Sequence, residues 1–286
     1  MQYTPNYNFK APEPGDLVNI DDISSNFAAI DSIMKNMQNE TIRLAVNEVA
    51  VNSYYACPHN RSQTFTVSGN WVCPAGVTSV DVWIVGGGGG GVNYVNGNAG
   101  GGGGYSKLFK NIAVTPGINN SVIVGAGGNG AYSTTLPSTH GYSTTATANN
   151  GGYSRFRTSD IQAGGGIGGS VKATNYNSSY QYGSVSGAGG SGGGGIIGGK
   201  TLAPGKNGSN SQTLSVSGGS GLDSSIGGEG QGSPTINPYS GVCYSDGGST
   251  ATAIANSGNG GRYNGATAAE NAGSSGIVII YWTEEE

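Results

Sequence analysis

Two apolar runs dominate the hydrophobic pattern of this chain, residues 80–85 (VDVWIV) and residues 276–282 (GIVIIYW). Both are rich in β-branched and aromatic side chains, a pattern typical of strands that are buried on both faces. Because no other run is as apolar, we expect the two strands to lie in one core. Six consecutive glycines, residues 86–91, follow the first run. The chain between the two strands is therefore predicted to be a glycine-rich excursion that leaves one strand and returns to the other.

Shorter strands are predicted around the first run. Residues 63–67 and 71–73 alternate apolar and polar positions and are separated by turn residues. The same signals recur at residues 105–109, 112–114 and 121–125, the last two separated by a Thr-Pro-Gly turn. Together these segments predict a sandwich built largely of hairpins.

The N-terminal region has a different period. Residues 1–19 are rich in Pro and Asn and predict an extended attachment arm, and Asn19 or Asp21 can cap a helix that begins near Ile20. The a/d pattern of a coiled coil follows over residues 20–52, weakened by its two polar members: Ile20, Ile23, Phe27, Ile30, Met34, Met37, Thr41, Leu44, Glu48 and Val51. A lone helix is marginal in water, so the stripe needs partners. We expect self-association into more than two strands; the alternative is an amphipathic helix packed on its own domain.

Composition decides how the rest is interpreted. Glycine supplies 56 of 286 residues and charged residues only 10%, a composition that by default indicates a flexible linker. However, 16 Tyr and recognisable strands interrupt the glycine tracts and favour a folded domain over residues 63–286, joined to the helix by a connector at 53–62. Such glycine density suits left-handed helices of three residues per turn, without the strict Gly-X-Y repeat of collagen. The predicted fold is mainly β with extensive polyglycine II-like structure, an N-terminal α-helical coiled coil preceding a β-sandwich and glycine-rich domain.

Charge and cysteine content exclude several classes of function. A formal net charge of −4 offers no basic face for nucleic acid. Cys57, Cys73 and Cys243 form no CxxC pair; a Cys57–Cys73 disulfide is possible in principle, and free thiols are the expected state. No segment has the length and apolarity of a signal peptide core or a membrane span, so we expect no membrane insertion.

Enzyme motifs occur without the context that their chemistry needs. Residues 194–201 (GGIIGGKT) fit the phosphate-binding loop, but neither the preceding strand nor the following helix is predicted. Residues 189–193 (GGSGG) have nucleophile-elbow spacing with the same deficiency. His59 and His140 lie in predicted loops, and carboxylates such as Asp160, Asp223, Glu229 and Glu270 lie singly. We therefore expect no catalytic residues, no cofactor and no metal.

Aromatic and amide side chains in the polar segments predict a binding surface instead. Tyr, Asn, Ser and Gly on loops supply flat faces and hydrogen-bonding groups for a glycan or protein at low conformational cost. The alternative is that these tyrosines are packing spacers on the glycine tracts. The candidate receptor contacts form three groups: Tyr132 and Tyr142; Asn175, Tyr176, Tyr180, Gln181 and Tyr182; and Asn237, Tyr239, Tyr244 and Asp246.

Several stretches together resemble a known family. They are residues 63–91 (QTFTVSGNWVCPAGVTSVDVWIVGGGGGG), 100–128 (GGGGGYSKLFKNIAVTPGINNSVIVGAGG), 151–156 (GGYSRF) and 273–282 (GSSGIVIIYW). This pattern is similar to the glycine-rich domain of phage and prophage tail proteins. Residues 3–31 (YTPNYNFKAPEPGDLVNIDDISSNFAAID) also resemble the start of tail fibre proteins from phages of low-GC Gram-positive bacteria. Residues 176–182 and 238–244 match no motif of that family, so no contact residues follow from the resemblance.

The resemblance implies a virion tail fibre or tip adhesin, assembled in the host cytoplasm and located on the tail of a phage or phage-tail-like particle. In that role the N-terminal arm would bind a tail or baseplate protein, residues 20–52 would assemble a homotrimer, and the glycine-rich domain would bind a bacterial surface receptor. The alternatives are a purely structural fibre segment, a secreted glycine-rich surface protein or, third, a wall-degrading enzyme.

Overall fold

The structure, a computed structural model, describes residues 2–3, 10–11, 24–30, 32–35, 57–95, 97–176, 179–197, 200–218 and 221–284. The chain falls into two compact units, residues 1–56 and 57–286. In the first unit, strands β1 (Gln2–Tyr3) and β2 (Lys10–Ala11) pair in antiparallel fashion. Its helical residues are 24–30 and 32–35.

The predicted N-terminal coiled coil, and with it the predicted fold class, is wrong. The described residues are mainly β, and their α-helical part is one short segment that ends at residue 35; the rest of residues 20–52 lies outside the described part. A helix of this length holds fewer than two of the four predicted heptads. The a/d pattern takes only the apolar positions into account and ignores the helix propensity of the residues between them. Asn36 and Asn39, both poor helix formers, are among the four residues that follow the helical residues.

The first β-sandwich of the second unit contains both apolar runs; we call it the base sandwich. One sheet has the order β3 (Arg61–Phe65), β20 (Ile277–Trp282), β5 (Ser79–Val85) and β8 (Ser106–Ala113), and all its pairs are antiparallel. The facing sheet has the order β13 (Gln162–Ala163), β12 (Ser154–Phe156), β9 (Asn119–Ile123) and β4 (Gly69–Val72). Trp83 pairs with Ile279, which confirms that the two runs share a core.

The two central strands of the first sheet, β5 and β20, are buried on both faces, as their sequences predict. Val82, Ile84 and Ile280 point toward the facing sheet and are fully buried with Trp71 and Phe156. The alternate residues, including Trp83 and Ile279, pack on the other side against Tyr239 and Tyr244 from the segment that follows residue 234. Because other residues pack on both faces of these strands, neither face is exposed to water, and the strand sequences are apolar at nearly every position.

A second sandwich, which we call the distal sandwich, was not predicted. One sheet has the order β10 (Ala131–Ser133), β6 (Val92–Tyr94), β7 (Gly97–Ala99), β16 (Gly195–Ile197) and β17 (Lys200–Leu202). The other has the order β11 (Ser143–Thr147), β14 (Ser170–Tyr176), β15 (Ser179–Val185), β19 (Gly221–Ile226) and β18 (Leu214–Gly218). Its core uses small side chains such as Ala146, Val171 and Ala173, together with the buried ring of Tyr182. A short 3-10 helix (Ala269–Asn271) lies beside β10.

Glycine tracts connect the two sandwiches and pack against one another as a bundle. Residues 86–91 lead from β5 to β6, 100–105 from β7 to β8, 124–130 from β9 to β10, 148–153 from β11 to β12 and 164–169 from β13 to β14. Neighbouring tracts therefore run back and forth, and each connects a strand of one sandwich to a strand of the other.

Hydrogen bonds within this bundle repeat every third residue. In the central tract, residues 86–91, amides three residues apart donate to carbonyls of the same neighbouring segment, at 2.8–2.9 Å. Gly86 and Gly89 donate to the carbonyls of residues 105 and 102. Gly87 and Gly90 donate to those of residues 152 and 149, and Gly88 and Gly91 to those of residues 274 and 271. The carbonyls of this tract accept in turn from the amides of Gly128, Gly166 and Gly261 and of two further residues on the same segments. A tract with partners on six sides and none within itself is an extended helix of three residues per turn.

The bundle leaves no space for side chains. A Cβ built on any residue of 86–91 would lie 2.0–2.2 Å from a carbonyl oxygen of a neighbouring tract. Glycine is required here because the backbones themselves are in contact, and the hydrogen bonds between tracts satisfy polar groups that are buried away from water.

Candidate functional site

Five pairs of strands in the distal sandwich are reached from the glycine bundle at one end, so the strand ends that face away from the bundle lie together at the other. The pairs are β6 and β7, β10 and β11, β14 and β15, β16 and β17, and β18 and β19. We call the described residues between the strands at this end the distal loops. They are residue 95 and residues 134–142, whereas residues 96, 177–178, 198–199 and 219–220 lie outside the described part.

The longest described distal loop, residues 134–142, is tied down at both of its ends. The buried Tyr94 hydroxyl hydrogen-bonds with the Thr135 carbonyl and the Thr144 hydroxyl. The buried Asn175 side chain donates to the Pro137 carbonyl at 2.9 Å, and the Asn175 backbone exchanges bonds with the Gly141 amide and the Tyr142 carbonyl. The Tyr142 side chain nevertheless stays 67% exposed. A fixed backbone that presents an exposed aromatic ring is a suitable arrangement for binding.

The structure brings the first two groups of candidate residues to the distal sandwich. Tyr132 is 46% exposed on the edge strand β10, and Gln181 is half-buried on the outer face of its sheet. Tyr180 is half-buried with its ring centroid 6.4 Å from that of Tyr182, which is in the core. The side chain of Tyr176, at the end of β14, lies outside the described part. Asn175 and Tyr182 therefore support the loops, while Tyr142, Tyr132 and Gln181 present surface.

The third group of candidate residues lies at the base sandwich. Asn237 is fully buried and donates to the Tyr281 hydroxyl at 2.8 Å, and the Tyr244 ring packs 6.2 Å from that of Trp83. Half-buried Asp246 belongs to a glycine tract, where its amide donates to the Asn259 side chain at 3.0 Å. These residues are not brought together with the distal loops, and their contacts hold the base sandwich.

Sequence reasoning missed a polar network centred on Asp81. Its carboxylate accepts from the Tyr239 hydroxyl and, at 2.7 Å, from the Asn111 amide, and it lies 3.1 Å from His59 Nε2. The other ring nitrogen of His59 is 3.2 Å from the Thr283 hydroxyl. The signal was present, because Asp81 is the one charged residue in an otherwise apolar strand. His59, expected in an exposed loop, has a side chain only 16% exposed.

The network shifts the pKa values of its members. Burial raises the pKa of Asp81, but hydrogen bonds from Tyr239, Asn111 and His59 outweigh burial, so the pKa of Asp81 is lowered and the carboxylate is charged. Burial and the adjacent Asp81 carboxylate raise the pKa of Tyr239. Burial also raises the pKa of Tyr281 to about 12. The network is thus an anion held by neutral donors and an imidazole.

A cleft of about 570 Å³ adjoins this network, lined by His59, residues 75–79, Asn111, Thr283 and Glu284. Both Glu284 carboxylate oxygens are already bonded, one to Trp282 Nε1 and one to Arg61. Among the residues that line the cleft, the contact between a hydroxyl and a possible base is that of Thr283 with His59, at 3.2 Å. We therefore assign no reaction to it.

The segment that matches the phosphate-binding loop in sequence has a different secondary structure. Residues 195–197 and 200–201 of the phosphate-loop match lie in the antiparallel strands β16 and β17, and the described residues that follow, up to residue 218, form no helix. Within the described part of the chain, no cluster of three His, Cys, Asp or Glu side chains could hold a metal ion. The described helices include none long and apolar enough to cross a membrane. Cys57, Cys73 and Cys243 are free thiols.

Comparison with known protein families gives the family of this chain. No curated protein matches the chain. The model of the glycine-rich domain family matches residues 62–283, from the start of β3 to just beyond β20. The match thus spans both sandwiches and the bundle between them, and the chain belongs to the glycine-rich domain family.

Proposed function

We propose that this chain is a tail fibre or tip adhesin of a phage or phage-tail-like particle, and that its distal loops bind a receptor on a bacterial surface. The observation that carries the proposal is the position of the distal loops at one end of a scaffold, opposite the end at which the second unit begins with residue 57. Such an arrangement separates attachment from recognition, and loops on a rigid scaffold are where binding residues concentrate.

The charge distribution favours a receptor that is bound through hydrogen bonds and ring faces. Residues 57–286 carry nine acidic and nine basic side chains, whereas residues 1–56 carry seven acidic and three basic ones. A binding domain without net charge gains little from long-range attraction to a charged partner. Tyr142 and Tyr132, with nearby Ser, Thr and Gln side chains, offer groups that suit a cell-surface glycan or an uncharged protein patch.

The N-terminal unit completes the proposal. Residues 1–19 bind a tail or baseplate protein, and residues 20–52 associate three chains, so that avidity strengthens weak single contacts. Three apolar side chains support association: Phe27, Ile30 and Met34 are 67%, 38% and 64% exposed in the single chain. The mass of the full chain in solution tests this part, and a monomer at micromolar concentration would contradict it.

The binding proposal is tested with the full chain and whole cells from a panel of low-GC Gram-positive bacteria. In one variant, residues 134–142 are replaced by a Gly-Ser loop of equal length. In the control, the exposed base turn that contains Ile118, at residues 115–118, is replaced in the same way. Circular dichroism checks that both variants fold. The proposal predicts that the first variant loses cell binding and the second keeps it.

Two outcomes would favour other functions. A wild-type chain that is folded but binds none of the strains would favour a purely structural fibre segment. Release of sugars or peptides from purified cell wall by the wild-type chain would favour a wall-degrading enzyme and contradict the proposal that it has no enzymatic activity.

A further inference from the structure

The first and last strands of the glycine-rich domain lie side by side at the base. β3 pairs with β20 in antiparallel register, from Phe65 opposite Val278 to Arg61 opposite Trp282. The Arg61 end points away from the glycine bundle, because β20 begins directly after Gly276 of a tract. The segment that enters the domain and the segment that ends it therefore leave at the same end, opposite the distal loops.

A group of side-chain contacts locks this end; we call it the clasp. The Asn60 side chain donates to the Glu284 carbonyl at 2.8 Å and accepts from the Glu284 amide at 3.0 Å. Arg61 forms an ion pair with the Glu284 carboxylate at 3.1 Å. His59 contacts Asp81 and Thr283 and stacks on Tyr281, with 6.5 Å between ring centroids and an interplanar angle of 24°. The clasp thus continues the β3 and β20 pairing beyond the last strand residues.

We infer that the domain is built to carry tension between residue 57 and the distal loops, with the base sheet loaded in shear. This inference rests on the proposed function, in which one end is anchored and the other grips a cell. Tension along this line pulls β3 along its own axis, away from the bundle that holds β20. All hydrogen bonds between β3 and β20 then resist together, and so do the contacts of the clasp.

The same strands are weak in the other pulling direction. Tension between residue 57 and the C-terminus acts on neighbouring residues at one end of the pair. It opens the clasp first and then separates Arg61 from Trp282, followed by one residue pair at a time. Since the same bonds break in sequence and not in parallel, much less force is needed at equal loading rate.

Single-molecule force spectroscopy on the full chain separates the two directions, and it needs no receptor. In a Cys243→Ser background, the exposed Cys57 is one handle, and Cys73 stays buried. The second handle is Tyr142→Cys at the distal loops or Glu286→Cys at the C-terminus. We expect the first unfolding event of the Cys57 to Tyr142→Cys pair to occur at severalfold higher force. Equal forces, or a lower force in this direction, would overturn the inference while leaving cell binding as a separate question.

The role of the clasp is tested with the two histidines of the chain. His59 lies between the Cys57 handle and β3 in the sequence. His59→Ala removes the contacts of this side chain with Asp81, Thr283 and Tyr281, so it should lower the first unfolding force in both directions. His140→Ala, in the exposed distal loop, is the matched control and should change neither. A His59→Ala variant that unfolds at wild-type force in both directions would show that the clasp bears no load.

Discussion

The contact between glycine tracts predicts opposite effects for alanine at two adjacent positions. A Cβ on Gly165 would lie 2.0 Å from the Gly151 carbonyl oxygen and 2.3 Å from its carbon. At Gly164 the nearest atom to such a Cβ is the Tyr105 ring, at an ordinary 3.5 Å. Both substitutions replace glycine by alanine, in the same tract and at adjacent positions. Only the space available to the methyl group differs.

The cost of Gly165→Ala follows from the displacement that it requires. An ordinary carbon to oxygen contact is about 3.3 Å, so the two tracts must separate by about 1.3 Å. This movement breaks the hydrogen bond from the Gly151 amide to the Gly166 carbonyl, now 2.8 Å, and strains the bond from the Gly87 amide to the Gly152 carbonyl, now 2.9 Å. One overpacked contact with these lost buried bonds costs about 3–6 kcal/mol. That is a large part of the 5–15 kcal/mol typical of a folded domain.

Urea unfolding followed by tryptophan fluorescence and circular dichroism measures both variants. Trp71, Trp83 and Trp282 all lie in the base sandwich, so they report whether damage to the bundle reaches the strands. Gly164→Ala should be neutral or stabilising by up to about 1 kcal/mol, because alanine restricts the unfolded chain. If both variants unfold at the wild-type midpoint, the tracts are not in the close contact described, and the reasoning fails.

Other predictions test the core, the Asp81 network and the distal loops. Ile280→Ala, at a fully buried position, should lower the free energy of unfolding by about 2–5 kcal/mol, whereas Val67→Ala, at a 73% exposed position, should change it by no more than about 0.5 kcal/mol; equal effects in urea unfolding would contradict the assigned core. Asp81→Asn should cost about 2–3 kcal/mol at neutral pH through weakened charged hydrogen bonds. Since the folded pKa of Asp81 is lowered, its carboxylate stabilises the fold above the unfolded pKa and loses this effect as pH falls through the folded value. The difference between wild type and Asp81→Asn should therefore shrink below about pH 4, and a difference independent of pH in acid titrations would refute this. Tyr142→Ala should weaken cell binding about tenfold or more and leave the melting temperature unchanged. Tyr244→Ala should lower the melting temperature and leave cell binding unchanged. A loss of binding in Tyr244→Ala alone would place the binding site at the base sandwich.

The base sandwich could be predicted because its strands are apolar. Residues 80–85 and 276–282 stand out from a polar chain, and their pairing follows from the need to bury both faces of each strand. The rejection of the phosphate-loop match also followed from context, since the strand and helix that it needs are absent around residues 194–201. At this place the structure has the antiparallel strands β16 and β17.

The distal sandwich could not be predicted because its strands are short and many of its inward positions are small or polar. In β15 the inward Ser184 bonds to Ser225 of β19 through their hydroxyls at 2.7 Å, and both are fully buried. Small inward side chains such as Ala173 and Ser184 give only a weak hydrophobic signal, so the pattern of residues 170–185 does not predict a pair of strands. Asn237, Tyr239 and Tyr244 are of the same residue types as the loop residues, but they pack on the base sheet. Composition selects the candidate side chains, and only the topology shows which end of the domain they occupy.

Amide hydrogen exchange across the glycine tracts tests the central claim most directly. Residues 86–91 have no side chains, so any protection of their amides comes from the bonds to neighbouring tracts. Peptides that cover these residues should exchange as slowly as those that cover β5 and β20. Exchange of residues 86–91 at the rate of an unstructured chain, with β5 and β20 still protected, would contradict a packed glycine bundle that fixes the distal loops.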